Sequence, residues 1–282
     1  MLKLLVVATL AQAAGDQAKD RAPNTEAAKQ RAAERLEFMK KSVAVYELTL
    51  ADGSDGRSST PHRKAMLVPE PLLRWSNIHG DEDGTLVLWR AAGRPVAIAQ
   101  VFSVDKGKVW LHEFQSLSEE LFSLERDGRP VWTPSEAGLE FKTLADAPVP
   151  AKTEAQRLFQ MHALSRRFAA SDDYGNNGNL WQLRLLSRPV YRYAKDENAE
   201  AAPETRLIDG AIFAYVVGTD PEMLLLLEAR RGAAQSAWHY ALAPMTCFAF
   251  TATLDGKAVW SCPFRGAPYR PRDPFFSLDY RP

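Results

Sequence analysis

Residues 209–230 read DGAIFAYVVGTDPEMLLLLEAR, and residues 237–244 follow as AWHYALAP. The run 211–217 is apolar at every position, and 223–227 nearly repeats it. Strands this uniformly apolar have both faces covered, so they belong at the centre of a layered fold. A proline-containing turn at 219–222 joins the first run to the second. The loop 231–236 then joins the second to the run beginning at Ala237. Connections this short fit antiparallel neighbours, because a parallel return needs a crossover of a dozen residues or more.

Placing Arg230 opposite Ala237 fixes a register. Leu227 then faces Tyr240 and Leu225 faces Leu242 on one side, with Leu226 facing Ala241 and Glu228 facing His239 on the other. A carboxylate opposite an imidazole raises the imidazole pKa and orients the ring, which suits acid–base work. If the arginines of residues 181–193 lie on the same side, Arg184 and Arg188 add anion-binding capacity. Arg184, Arg188, Glu228 and His239 are therefore the candidate site for an anion or for acid–base chemistry. A cross-strand ion pair on a solvated face is the structural alternative.

Further strands are expected at 43–50, 86–89, 96–104 and 109–114, separated by turns at 91–93 and 105–107. In 181–193 one parity collects Trp181, Leu183, Leu185, Tyr191 and Tyr193, so this run reads as one strand with an edge or bulge at Pro189. Cys247 and Cys262 flank a hairpin whose two-residue turn is Asp255-Gly256. Its regular register puts Ala249 opposite Cys262 and leaves Cys247 diagonal, about 7–8 Å away and too far for a bridge. A bulge could close that gap, so a disulfide and two buried thiols both stay open. The proline-containing tail from 265 reads as an extended segment lying against the body.

Two helices stand out. Residues 25–41, TEAAKQRAAERLEFMKK, are rich in helix formers, with Glu26 early and two lysines late, as the macrodipole favours. The apolar face (Ala28, Ala32, Leu36, Met39) is thin, so this helix lies on the surface of another element. Thr153 and Gln156 form a capping box for a helix over 153–170, which offers Leu158, Met161, Ser165 and Phe168 to a sheet. The expected fold is α+β: mainly antiparallel sheet, one helix packed on it and an N-terminal surface helix. Residues 42–282 form one domain, with a possible division at the connector 146–152.

The chain opens MLKLLVVATLAQAA: a lysine, a seven-residue apolar run and a small-x-small cleavage pattern. Residues 1–14 are read as a signal peptide and 15–24 as disordered, which makes the mature protein exported, periplasmic or secreted. The apolar run falls far short of the roughly 20 residues needed to span a bilayer. The chain has 35 basic and 35 acidic residues, so no global field draws it to nucleic acid or to an anionic membrane. With 46% hydrophobic and 25% charged residues among 282, a disordered chain is excluded.

The familiar catalytic spellings are missing: no G-x-S-x-G, P-loop, G-x-G-x-x-G, C-x-x-C or H-E-x-x-H occurs. His112-Glu113 begins a zinc motif, but Ser116 stands where its second histidine belongs. The acidic loop 79–84 could attract calcium, yet it lacks the twelve-residue ligand pattern and reads as a solvated turn. His112 reads as a half-buried histidine bonded to a neighbour, and His162 as a packing residue. No catalytic residue, metal or cofactor is assigned.

The blocks at 73–77, 209–230 and 255–260 resemble blocks of exported proteins from planctomycete bacteria that carry no assigned function. The resemblance implies a bacterial exported protein and transfers no site residue. An exported binding or interaction module, with a possible anionic or glycan ligand, is the leading expectation. An exported hydrolase with an unfamiliar acid–base site and a carrier of an apolar ligand are the alternatives.

Overall fold

The computed structural model describes residues 26–51, 63–77, 82–104, 109–174, 176–194, 207–266 and 268–280. The expected signal peptide, the segment 15–24, residues 79–81 of the acidic loop and the expected turn at 105–107 lie outside the described residues.

Helix α1 (Glu26–Ala44) leads into β1 (Tyr46–Leu50), β2 (Arg63–Leu67), β3 (Leu73–Asn77), β4 (Glu82–Ala91), β5 (Arg94–Val104) and β6 (Val109–Ser116). Then come β7 (Phe122–Arg126), β8 (Arg129–Trp132), β9 (Lys142–Thr143), α2 (Glu154–Ser165) and β10 (Phe168–Asp173). The short strands β11 (Leu180–Gln182), β12 (Arg184–Leu185) and β13 (Tyr191–Tyr193) precede β14 (Leu207–Val217), β15 (Asp220–Arg230) and β16 (Ala237–Pro244). The chain closes with β17 (Phe250–Leu254), β18 (Lys257–Cys262) and β19 (Phe275–Tyr280). Among the described residues all the strand pairings are antiparallel, and with two helices against them the fold is a mainly β α+β architecture.

Three sheets are stacked. The central one runs β12-β14-β15-β16-β9, with β13 also on β14. One of its faces, including Phe213, Leu225, Leu227 and Tyr240, packs with Met161 and Leu164 of α2 and with Phe168 and Phe250 of a four-stranded sheet, β11-β10-β17-β18. Its other face, including Ile212, Leu224, Leu226 and Ala241, packs on Leu86, Leu88 and Ile98 of a nine-stranded sheet. That sheet runs β19-β6-β5-β4-β2-β1-β7-β8, with β3 on β4. It curls into a nearly closed barrel. The seam between β8 and β19 is held where Trp132 Nε1 donates to the Asp273 carbonyl (2.8 Å) and the Thr133 amide to that of Pro271 (2.8 Å). The interior is filled by Trp89, Phe114, Trp132 and Phe276, and Met39 and Val43 of α1 join the same cluster.

The central register is the one the apolar pattern predicts: Arg230 faces Ala237, Glu228 faces His239 and Leu225 faces Leu242. Several local readings need correction. The turn after β14 is Gly218-Thr219, with Gly218 at φ +61°, and Pro221 lies inside β15 at a bulge, where its missing N–H breaks no ladder bond. Helix α2 stops at Ser165, and Phe168 opens β10 instead. Residues 181–193 are three short strands divided between two sheets, which leaves Trp181 47% exposed. In the last hairpin the shift between Ala252 and Thr253 puts Phe250, not Ala249, opposite Cys262, so Cys247 falls further from it, and the two cysteines are buried without a disulfide between them. Helix α1 runs three residues further than expected and buries its C-terminal turns.

Asp172 of β10 faces the apolar layer between the four-stranded and central sheets, and its side chain is fully buried. Neither carboxylate oxygen meets a hydrogen-bond partner on a neighbouring residue. Burial, with the charge of Asp173 adding to it and its own backbone amide opposing, pushes this carboxyl up to about 7. A raised folded-state pKa means that the native protein holds a proton the unfolded chain has released. The cost is therefore absent below about pH 4, grows as the pH rises and is complete above about pH 7. We expect Asp172→Asn to match the parent in acid and to exceed it by roughly 3–4 kcal/mol at pH 8. Urea melts across that range check this, and equal stability at pH 8 would contradict it.

Candidate functional site

Among the described residues, polar constellations interrupt the apolar layers, three of them built on a buried histidine or carboxylate. The first lies at the α1 end of the barrel. Ser42 Oγ donates its single proton to the Met39 carbonyl (2.8 Å) and so can only accept from His112 Nε2 (3.1 Å). That leaves His112 Nδ1 to accept from the Tyr46 hydroxyl (3.0 Å). The imidazole stacks on Tyr280 at 4.5 Å, and Arg126 covers the ring of Tyr280. Burial, with the Arg126 charge, drives His112 down to about 3, so it stays neutral. A serine that receives the imidazole proton is not activated for attack, and the ring has no exposed surface. This cluster fastens α1 to the barrel; His112 is fully buried where half-burial was expected.

The second constellation fastens α2. Asp209 of β14 accepts from Arg157 Nε (2.8 Å) and from Arg192 Nε and Nη2 (3.1 and 2.7 Å). Arg157 also donates to the carbonyls of Ala151 and Lys152, and Arg192 to that of Glu154. This is a sealed tie between helix and sheet.

The third reaches solvent. Glu228 is 1% exposed and points from β15 toward the barrel sheet, on the same face as Leu226. Both its oxygens accept from Arg94 Nη2 (2.7 and 2.8 Å), Oε2 also accepts from Arg230 Nε (2.6 Å), and Oε1 from the Tyr193 hydroxyl (2.9 Å). Arg94 comes from the other layer. It follows the two-residue β4–β5 turn, where Ala92 and Gly93 both take positive φ (48° and 81°), as a type I′ hairpin requires. Tyr193 reaches across Gly210, which faces both Tyr193 and Glu228; a Cβ there would lie 2.6 Å from the ring. Phe141 lies under both guanidiniums, 3.9 Å from that of Arg230 and 5.8 Å from that of Arg94. Above them, Glu119 is 44% exposed and accepts from Arg230 Nη2 (3.1 Å), with Arg94 Nη2 at 3.6 Å.

Of the residues singled out in the sequence, Glu228 and His239 are brought together and Arg184 and Arg188 are not. Arg184 sits near the other end of β14, opposite Val216, and donates to the Gly218 carbonyl; Arg188 is exposed in the bend before β13. His239 does not bond to Glu228, whose oxygens are taken; its Nε2 lies 3.3 Å from Thr143 Oγ1. Its imidazole is held below its ordinary value, chiefly by burial and then by the Arg230 cation, with the Ala237 carbonyl and Glu228 opposing. The expected upward shift is thus reversed, because the carboxylate's charge is already answered by two arginines. His162 packs edge-on against Phe213. Of the acidic loop 79–84, Asp83 is taken by Arg74 and Arg35. Among the described residues no group of side chains is arranged to hold a metal ion.

No protein-family model, curated protein or solved structure matches the chain. The chemistry of the site therefore rests on its own geometry.

Two expectations follow for stability. Glu228→Gln leaves two guanidiniums facing a neutral amide at the layer boundary and should cost about 3–5 kcal/mol in denaturant melts; a loss below about 1 kcal/mol would show the pair to be screened by solvent. Gly210→Ala should cost about 1–3 kcal/mol by displacing Tyr193, and the loss should shrink when Tyr193→Ala is already present.

Proposed function

We propose that the chain is an exported binding module whose site is the Arg94–Arg230 pair and whose ligand is a small oxyanion. The observation that carries this reading is that two guanidiniums from different sheets are held side by side at the protein surface on one buried carboxylate. Among the described residues, Arg94 donates only through Nη2 and Arg230 only through Nε and Nη2. Arg94 Nε and Nη1 and Arg230 Nη1 therefore remain to donate, and charged N–H groups of this kind pair with carboxylate or phosphate oxygens. Glu228 beneath and Phe141 against the guanidinium faces restrict both arginines before any ligand arrives, which lowers the entropic cost of binding. Export is supported by the reading of residues 1–14 and by the planctomycete resemblance at 73–77, 209–230 and 255–260.

Titration of the whole protein with sodium acetate and with sodium phosphate at low salt tests this, following the arginine Nε–H signals by NMR. Saturable shifts at Arg94 and Arg230 are expected with a Kd near about 1 mM, equivalent to about −4 kcal/mol. Arg94→Gln should abolish saturation. Strictly linear, non-saturating shifts for both anions would defeat the reading.

A further inference from the structure

We infer that Glu119 is an internal competitor for this site: its carboxylate occupies the place of a ligand carboxylate, and the site opens when Glu119 swings into solvent. The inference rests on the oxyanion reading above.

The two acidic partners of the arginine pair are unlike each other. Glu228 is 1% exposed, sits in the middle of β15 and takes four hydrogen bonds, so it cannot leave without stranding both cations in the layer boundary. Glu119 is exposed, lies in the connection between β6 and β7, and has one hydrogen bond to Arg230. Its 3.6 Å approach to Arg94 is an ion contact beyond hydrogen-bonding range. The backbone beside it is fixed, since the Leu117 amide donates to the Val96 carbonyl and the Gly138 amide to that of Ser118. Only the side chain has to move. An exposed pair of this kind is weak, so closed and open forms differ little in free energy.

Charge count narrows the ligand. Arg94 and Arg230 are balanced by Glu228 and Glu119, so the closed cluster is neutral. A monoanionic carboxylate replacing Glu119 restores that balance, whereas a phosphate dianion would leave an extra negative charge over Glu228. The site as built therefore favours a carboxylate. Because the competent state is only part of the population, apparent affinity is lowered by the fraction that is closed.

The test is the acetate titration repeated on Glu119→Gln, an exposed substitution that keeps the side-chain shape, with phosphate as the comparison. Removal of the competitor should tighten acetate binding about three- to tenfold, as expected for an internal contact of this strength. In the free protein, the Arg230 Nε–H signal of the variant should already be shifted from that of the parent. Acetate should saturate at lower concentration than phosphate in the parent. Unchanged acetate affinity with clear saturation in both proteins would overturn the competitor role and leave the oxyanion site standing. Binding in neither protein would remove the site itself. Saturation in the variant alone would support both.

Discussion

Strands β14 and β15 have no face left for water. One side of this pair carries the four-stranded sheet and α2, the other carries the barrel, and the rest of the structure follows from that double coverage. Any charge placed on these strands has to be answered from a neighbouring element, because an uncompensated buried ion costs several kcal/mol. Asp209 is answered by arginines from α2 and β13, and Glu228 by an arginine from the barrel hairpin and one from its own strand. The two carboxylates point to opposite faces and tie the central sheet to both outer layers. The ion pairs thus specify where the layers sit, while the apolar contacts supply most of the burial.

The features legible in the sequence were those written in local pattern. The doubly apolar runs placed β14 and β15 at the centre, and short connections set their antiparallel register down to Glu228 opposite His239. Thr153 and Gln156 marked the start of α2, where Thr153 accepts from the Gln156 amide. Its end was obscure because Phe168 continues the helical spacing, although β10 needs it as an inward-facing strand residue. The tail held a strand that its prolines concealed: β19 pairs with β6 along six residues and makes one edge of the barrel. The Asp127-Gly128 turn between β7 and β8, with both residues at positive φ, carries the same signal as Asp255-Gly256 and could have been read.

The candidate site was half legible for a similar reason. Strand pairing put His239 beside Glu228, but parity within one sheet cannot say which outer layer covers that face. Arg94 lies 134 residues from Glu228 and reaches it only through packing of one sheet on another. Arg184 and Arg188 suit the site only if residues 181–193 form one strand; broken into β11, β12 and β13, the same residues serve two sheets. A basic residue directly after a tight two-residue turn, beside a strand with a buried carboxylate, was the one available hint.

His112 in the barrel and Asp172 in the outer layer are displaced in opposite senses, and together they act as a proton counterweight. Acidification from pH 6.5 toward 3 weakens the fold through His112, since the unfolded chain takes up a proton that the native ring refuses. Over much of the same span it strengthens the fold through Asp172. Between about pH 4 and 6.5 the two linkage slopes have equal size and opposite sign. Neither group touches the other, yet over that span each offsets the other's contribution to the pH dependence of stability.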